Sequence, residues 1–80
     1  MDRQIFFEQL PIERKVFSFD LRENPRGRFL RITEEVGGRR DAIVIPASGL
    51  EALRELFGRI LDAHRAAPPA PPAREEAAQP

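Results

Sequence analysis

Cysteine is absent from this 80-residue chain, and histidine occurs once, at His64. The missing thiols exclude disulfides and thiolate metal sites, and a lone histidine near a helix end is more typical of a capping or surface residue than of a ligand. No apolar run reaches the length of about 18 residues that spans a bilayer, and the first ten residues do not resemble a secretion signal. The sequence predicts a cytoplasmic protein, in which association with the nucleoid remains open, with no metal, no other cofactor and no membrane partner.

The usual catalytic arrangements are missing as well. No Walker-type glycine loop occurs, and neither Ser18 nor Ser48 has a base placed to activate it. Glu34 and Glu35 are neighbours on a predicted strand and therefore point to opposite faces, which excludes a cooperating carboxylate pair. We predict that the chain is not an enzyme and has no small-molecule substrate.

Alanine and proline dominate residues 66–80, which contain no large apolar side chain. Such a segment buries too little surface to offset the entropy of ordering it, so we expect a disordered tail after a single folded repeat at residues 1–65. A folded part of this size buries only roughly 60% of the surface that its unfolded chain exposes. Because cysteine cannot supply a covalent staple, we expect a partner chain to complete the core.

Residues 15–22 and 28–35 alternate between apolar and polar side chains, as half-buried strands do. The apolar, aromatic segment 4–10 and the β-branched segment 41–46 are predicted as two further strands, with an irregularity expected at Pro11 and turns at residues 23–27 and 37–38. One face of the predicted sheet collects the large apolar side chains of strands two to four: Phe17, Phe19, Leu21, Leu30, Ile32, Ile43 and Ile45.

The pattern then changes to helical spacing over residues 48–64, where the apolar positions are Leu50, Leu53, Leu56, Phe57, Ile60 and Leu61. Ser48 and Glu51 have the spacing of a capping box at the helix start. A helix lying on one face of a four-stranded antiparallel sheet predicts a two-layer α+β domain.

The opposite sheet face is then uncovered, and it mixes an aromatic ring with cations: Val16, Ser18, Arg22, Phe29, Arg31 and Thr33. Formal net charge is zero, yet residues 14–40 hold eight basic and four acidic side chains. A local basic stripe attracts phosphate even where the total charge is nil. Cations beside an exposed ring are typical of surfaces that bind single-stranded nucleic acid.

Two structural alternatives compete with that interpretation. A loop or partner chain that covers Phe29 would also explain its outward position. Arginines beside Asp20, Glu34 and Glu35 also form ordinary cross-strand ion pairs. Phe6 and Phe7 are predicted as core or dimer contacts rather than as stacking platforms.

Residues 14–24 (RKVFSFDLREN) and 26–32 (RGRFLRI) resemble the signature of the PUR-repeat family, the purine-rich-element-binding, PUR-alpha-like proteins. Residues 43–50 (IVIPASGL) are similar to that family's last strand and helix start. The resemblance covers residues 5–64 and contains one repeat, as in single-repeat bacterial relatives. Val16 departs from the basic or aromatic residue that many members have at this position.

The resemblance implies a β-β-β-β-α repeat, Whirly-like in architecture, that forms an intertwined homodimer with clasped helices. It also implies binding of purine-rich single-stranded DNA or RNA, with a role in transcription or RNA handling. By position it implies contacts at Arg14, Lys15, Asn24, Arg28 and Phe29, and the charge pattern adds Arg22, Arg26 and Arg31. The apolar side of the helix predicts dimer contacts at Leu50, Leu53, Phe57, Ile60 and Leu61.

Two functions of other classes remain open. A dimeric protein-interaction or scaffold module with little affinity for nucleic acid is favoured by the zero net charge, by Val16 and by the Glu34–Glu35 pair. The Ala/Pro tail alternatively suggests a segment that docks to a partner protein.

Overall fold

A computed structural model of the protein describes residues 2–70. Four antiparallel strands are followed by a short 3-10 turn (Ala47–Gly49) and a helix; the elements are β1 (Arg3–Ile12), β2 (Lys15–Asn24), β3 (Gly27–Val36), β4 (Arg39–Pro46) and α1 (Leu50–Ala66). The strands lie in the sheet in their sequence order, β1-β2-β3-β4. The predicted element order is confirmed. Most of the predicted tail, residues 71–80, lies outside the described residues.

The strands run further than the sequence pattern predicts, because each hairpin closes over only two residues. Gly37 and Gly38 both have positive φ, 58° and 82°, and Gly27 has a φ of 138° where β3 begins. Such backbone conformations favour glycine, which has no Cβ. The irregularity expected at Pro11 is found elsewhere: Pro11 pairs with Val16, and the register shifts between Gln4 and Phe6. Proline is tolerated there because β1 is an edge strand.

The register assigns the side chains to two faces. One, the apolar face, contains the residues that the alternation predicts together with two from β1: Phe6, Leu10, Phe17, Phe19, Leu21, Leu30, Ile32, Ile43 and Ile45. The opposite, polar face contains Gln4, Phe7, Gln9, Ser18, Asp20, Arg22, Phe29, Arg31, Thr33 and Val44. Phe6 and Phe7, predicted together as core or dimer contacts, therefore lie on opposite faces.

The helix does not cover the apolar face of its own sheet, so the two-layer arrangement is wrong for the single chain. After Leu50, α1 leads away from the strands and makes no sustained contact with any of them. The radius of gyration is 16.0 Å, against about 11–12 Å for a compact chain of this length. The apolar stripe of α1 remains exposed, with Phe57 at 62% and Ile60 at 51% exposure.

No residue in the range 2–70 is fully buried. The apolar face also has an open depression of about 330 Å³ whose walls include Phe6, Leu10, Phe19 and Leu30. Burial of apolar surface is the main favourable contribution to folding. A single chain with this geometry has the elements of a domain without its core.

The capping box is also wrong. Helix α1 begins at Leu50 with Gly49 as its N-cap, and no side chain caps it. Ser48 lies within the preceding 3-10 turn. That turn moves the N-cap by one residue, from Ser48 to Gly49, so Ser48 and Glu51 no longer have the N-cap and N3 positions that a capping box requires.

Candidate nucleic-acid interface

Two neighbouring rows of residues across the strands form the centre of the polar face. In the first, Phe7, Asp20, Arg31 and Val44 lie side by side on β1 to β4. In the second, Gln4, Arg22, Phe29 and Pro46 do so. Directly opposite residues of antiparallel strands share a face and lie within contact distance. The polar face therefore presents a ring and a guanidinium group in each row.

Asp20 organises this centre. Its carboxylate accepts hydrogen bonds from Gln4 Nε2 at 3.0 Å and from Arg22 Nη1 at 3.0 Å. Burial raises the pKa of Asp20, but these hydrogen bonds and the positive charges of Arg22 and Arg31 outweigh it and lower the pKa below its usual value. Arg22 also lies 3.5 Å from Asp2. Part of the predicted basic surface is thus neutralised by nearby carboxylates.

Three of the predicted cations form no direct ion pair in the described part of the chain, although one of them, Arg31, lies opposite Asp20. Within residues 2–70, no ion pair involves Arg14, Arg26 or Arg31. Arg31 lies near the middle of the polar face, whereas Arg14 and Arg26 lie in the turns at opposite ends of β2. These guanidinium groups can approach phosphate without first breaking an ion pair seen in the structure.

A shallow depression of about 330 Å³ adjoins the β2–β3 turn. Its lining combines cationic, amide and apolar groups: Asn24, Arg26, Arg28, Phe29, Val44 and Pro46. Phe29 is half-buried and pairs with Pro46. Asn24 Oδ1 accepts a hydrogen bond of 2.9 Å from the Arg26 backbone N–H. The Asn24 carbonyl thus stabilises the turn, while its amide group retains donors of the kind that recognise base edges.

Two predicted contact residues lie on the side of the sheet that bears the apolar face. Lys15 pairs with Ile12 and its Nζ lies 2.7 Å from Glu34 Oε2. Arg28 precedes Leu30 by two positions, and its Nε lies 3.3 Å from Glu23 Oε2. The structure therefore brings together Arg22, Phe29 and Arg31, with Asn24 and Arg26 at the adjoining turn, and separates Lys15 and Arg14 from them. Arg28 borders the depression at that turn but is paired with Glu23.

Glu23 joins two arginines at that end of the sheet. Arg3 Nε donates to Glu23 Oε1 at 3.1 Å, and Arg28 donates to the other carboxylate oxygen. The hydrogen bond from Arg3 has the largest effect on the pKa of Glu23 and lowers it. Burial raises this pKa, and the hydrogen bond from Arg28 lowers it further, so that the pKa lies below its usual value. Arg28 is consequently engaged within its own chain.

The family model described as "PurA ssDNA and RNA-binding protein" matches residues 2–76. The chain belongs to this family. It is also similar to "Transcription factor Pur-alpha 1" of Arabidopsis thaliana, with 43% identity over 56 residues. That alignment covers 70% of this chain and 19% of the relative. The chain thus spans less than a fifth of the length of the curated relative it matches.

Membership of the PurA family supports single-stranded nucleic-acid binding by this chain. Among residues 2–70, no group of acidic, histidine or cysteine side chains has the arrangement of a metal site. No helix in that range combines the length and apolar composition needed to cross a bilayer.

Sequence reasoning missed Phe7 as a member of this surface. Phe7 follows another phenylalanine in a mostly apolar segment, so its face depends on the pairing of β1. The register shift at Ile5 leaves Phe7 opposite Asp20. One signal in the sequence could have distinguished Phe7 from Phe6. The two residues are adjacent on a predicted strand, and adjacent strand residues point to opposite faces.

Proposed function

We propose that this protein binds purine-rich single-stranded DNA or RNA as a homodimer. The observation that carries the proposal is the polar face of a PurA-family domain on which Phe29 lies between Arg22 and Pro46, one row from Arg31. Unpaired bases stack on flat side chains, and arginine binds phosphate or lies flat against a base. Each stacked base contributes roughly 1–3 kcal/mol.

The absence of a core in the single chain supports the dimer. Both the apolar face and the stripe of α1 lack a covering layer within residues 2–70. A second copy supplies complementary surfaces of the same two kinds, because a two-fold pair can bury each helix and each sheet. The expected helix contacts are Leu50, Leu53, Phe57, Ile60 and Leu61, and the expected architecture is the intertwined, Whirly-like pair.

The proposed cellular role is control of transcription or handling of RNA in the cytoplasm, with the nucleoid as one setting. The name of the Arabidopsis relative, a transcription factor, supports the first of these roles. Arg14, Lys15, Asn24, Arg26 and Arg28 are proposed as further nucleic-acid contacts around the central Arg22, Phe29 and Arg31. For Lys15 and Arg28 this requires a strand that passes around the sheet edge or turn and displaces an ion-pair partner.

Fluorescence anisotropy of labelled oligonucleotides tests the proposal. A purine-rich single-stranded 24-mer, a pyrimidine 24-mer and a duplex are each titrated across a salt series. We expect micromolar or tighter binding of the purine strand that weakens as salt rises, because phosphate contacts release counterions. Absence of binding at low salt would refute the proposal.

A second candidate is a dimeric protein-interaction or scaffold module with little affinity for nucleic acid. The ion pairs that engage Arg22, Arg28 and Lys15 favour it, since each reduces the positive charge offered to phosphate. The same titration separates the two functions: a stable dimer that binds none of the oligonucleotides at low salt supports the scaffold.

A further inference from the structure

Phe7 is an aromatic side chain on the polar face, and it is 50% exposed. It lies on β1 opposite Asp20, whereas Phe29 lies on β3 opposite Arg22. Large apolar side chains that face solvent beside charged groups are common at binding surfaces. The chain thus presents two exposed or half-exposed rings on one face.

We infer that Phe7 is a second base-stacking platform, which acts together with Phe29 on the same single strand. This inference rests on the proposed binding of single-stranded nucleic acid and assigns to the polar face a second point of contact. The ligand is one strand of DNA or RNA that crosses the sheet diagonally, from β3 to β1.

The spacing of the two rings limits how the strand is bound. Phe7 and Phe29 are two strands apart and one row apart. With about 4.8 Å between strands and about 6.8 Å between rows, their backbones are about 12 Å apart. Neighbouring stacked bases are only about 3.4 Å apart. The rings therefore hold bases that are not adjacent, and the intervening nucleotides pass over the centre of the face.

The groups between the rings suit that path. Arg22 and Arg31 occupy the central strands, and Arg31 has no ion pair among residues 2–70. The Asp20 carboxylate lies directly beside Phe7, and it accepts hydrogen bonds from the Gln4 amide and from Arg22. Guanidinium groups between two rings provide phosphate contacts between two stacking positions.

The aspartate between the rings argues against a protein partner at this position. Aspartate is depleted in protein–protein interfaces, whereas here Asp20 lies between Phe7 and Arg31. In the proposed dimer the apolar face is the buried one, so Phe7 points away from the second copy. An exposed ring among cations fits an unpaired strand better than a packed interface.

Substitution of Phe7 tests the inference, with anisotropy of a purine-rich hexamer as the measurement. We expect Phe7→Ala and Phe7→Leu each to weaken binding on the order of 5- to 150-fold, the equivalent of one stacked base. The salt slope should stay unchanged, because no phosphate contact is lost. Phe7→Leu keeps apolar volume without the ring, so its loss of binding separates stacking from general hydrophobicity.

Phe7→Trp provides the complementary variant. The chain contains no tryptophan or tyrosine, so its indole would be the only strong emitter. We expect near-normal affinity and a change in emission on addition of the purine strand, with no change on addition of inorganic phosphate.

A scan with single abasic positions locates the contacts. With the unsubstituted protein, removal of either of two non-adjacent bases of the oligonucleotide should weaken binding. With Phe7→Ala, base removal should still weaken binding at one of these two positions but not at the other. Normal binding by Phe7→Leu, or loss of the dimer in light scattering of Phe7→Ala, would overturn the inference while the proposed function stands. Failure of the unsubstituted protein to bind any single strand would overturn both.

Discussion

Replacement of Phe57 by alanine should dissociate the proposed dimer, because most of this side chain is left uncovered by its own chain. Phe57 is 62% exposed in the single chain. Taking about 200 Å² for a phenylalanine, about 125 Å² remains for a partner to cover. At about 25 cal/mol per Å², burial of that area contributes about 3 kcal/mol per chain.

A two-fold dimer contains the contact twice, so Phe57→Ala should cost about 6 kcal/mol of assembly free energy, or about 10⁴-fold in the dissociation constant. In a chain without a core of its own, dissociation should also unfold it. The melting temperature should therefore fall, and it should depend on protein concentration. If the helix stayed exposed, the same substitution would change little.

Light scattering and thermal melts monitored by circular dichroism, both over a dilution series, measure these effects. Glu55→Ala is the matched control, since Glu55 lies on the opposite side of α1 from Phe57 and is exposed. It should leave both readings unchanged. A Phe57→Ala protein with the assembly state and melting temperature of the unsubstituted protein would refute the reasoning, as would an unsubstituted monomer that unfolds cooperatively at every concentration.

Three further predictions concern the polar face and the turns. Arg31→Ala should weaken single-strand binding and reduce the salt slope by about one in a salt-series titration. Arg22→Ala should weaken binding less, because the charge of Arg22 is already offset by Asp20 and Asp2. The pKa values of Asp20 and Glu23 are lowered in the folded chain, so their stabilising contribution is present above the unfolded-state values near pH 4 and is lost as the pH falls through the folded ones. A melting temperature that is constant from pH 6 to pH 3 would contradict this. Gly27→Ala should destabilise the protein by about 1–3 kcal/mol in denaturant unfolding, because a φ of 138° is strained for any residue with a Cβ.

The fold was largely predictable because its signals are local. Alternation along β2 and β3 places Phe19 opposite Ile32 and Leu21 opposite Leu30, as the pattern requires. Glycines mark the turns by themselves, because a backbone with positive φ favours glycine whatever the distant residues are. The start of α1 was less predictable, since Ser48 suits either a helix cap or a 3-10 turn.

The candidate site was only partly predictable. Lys15 and Arg28 were predicted as members of the basic stripe. The register instead places them on the same side of the sheet as Phe17 and Leu30, where each lies beside a carboxylate. Phe7 was predicted as a core or dimer contact, but the pairing of β1 places it beside Asp20 on the polar face. Both outcomes depend on which strand residues become neighbours, and that information lies in residues far apart in sequence.

The sequence by itself determined the four strands, the helix, the sorting of side chains on the central strands and the membership of a nucleic-acid-binding family. Tertiary structure decided that the helix leaves its own sheet uncovered, which arginines are already paired, and that Phe7 shares a face with Phe29. The physical reason is that alternation and helical spacing are properties of a few consecutive residues. Packing, ion pairing and exposure depend instead on where the backbone brings distant residues together.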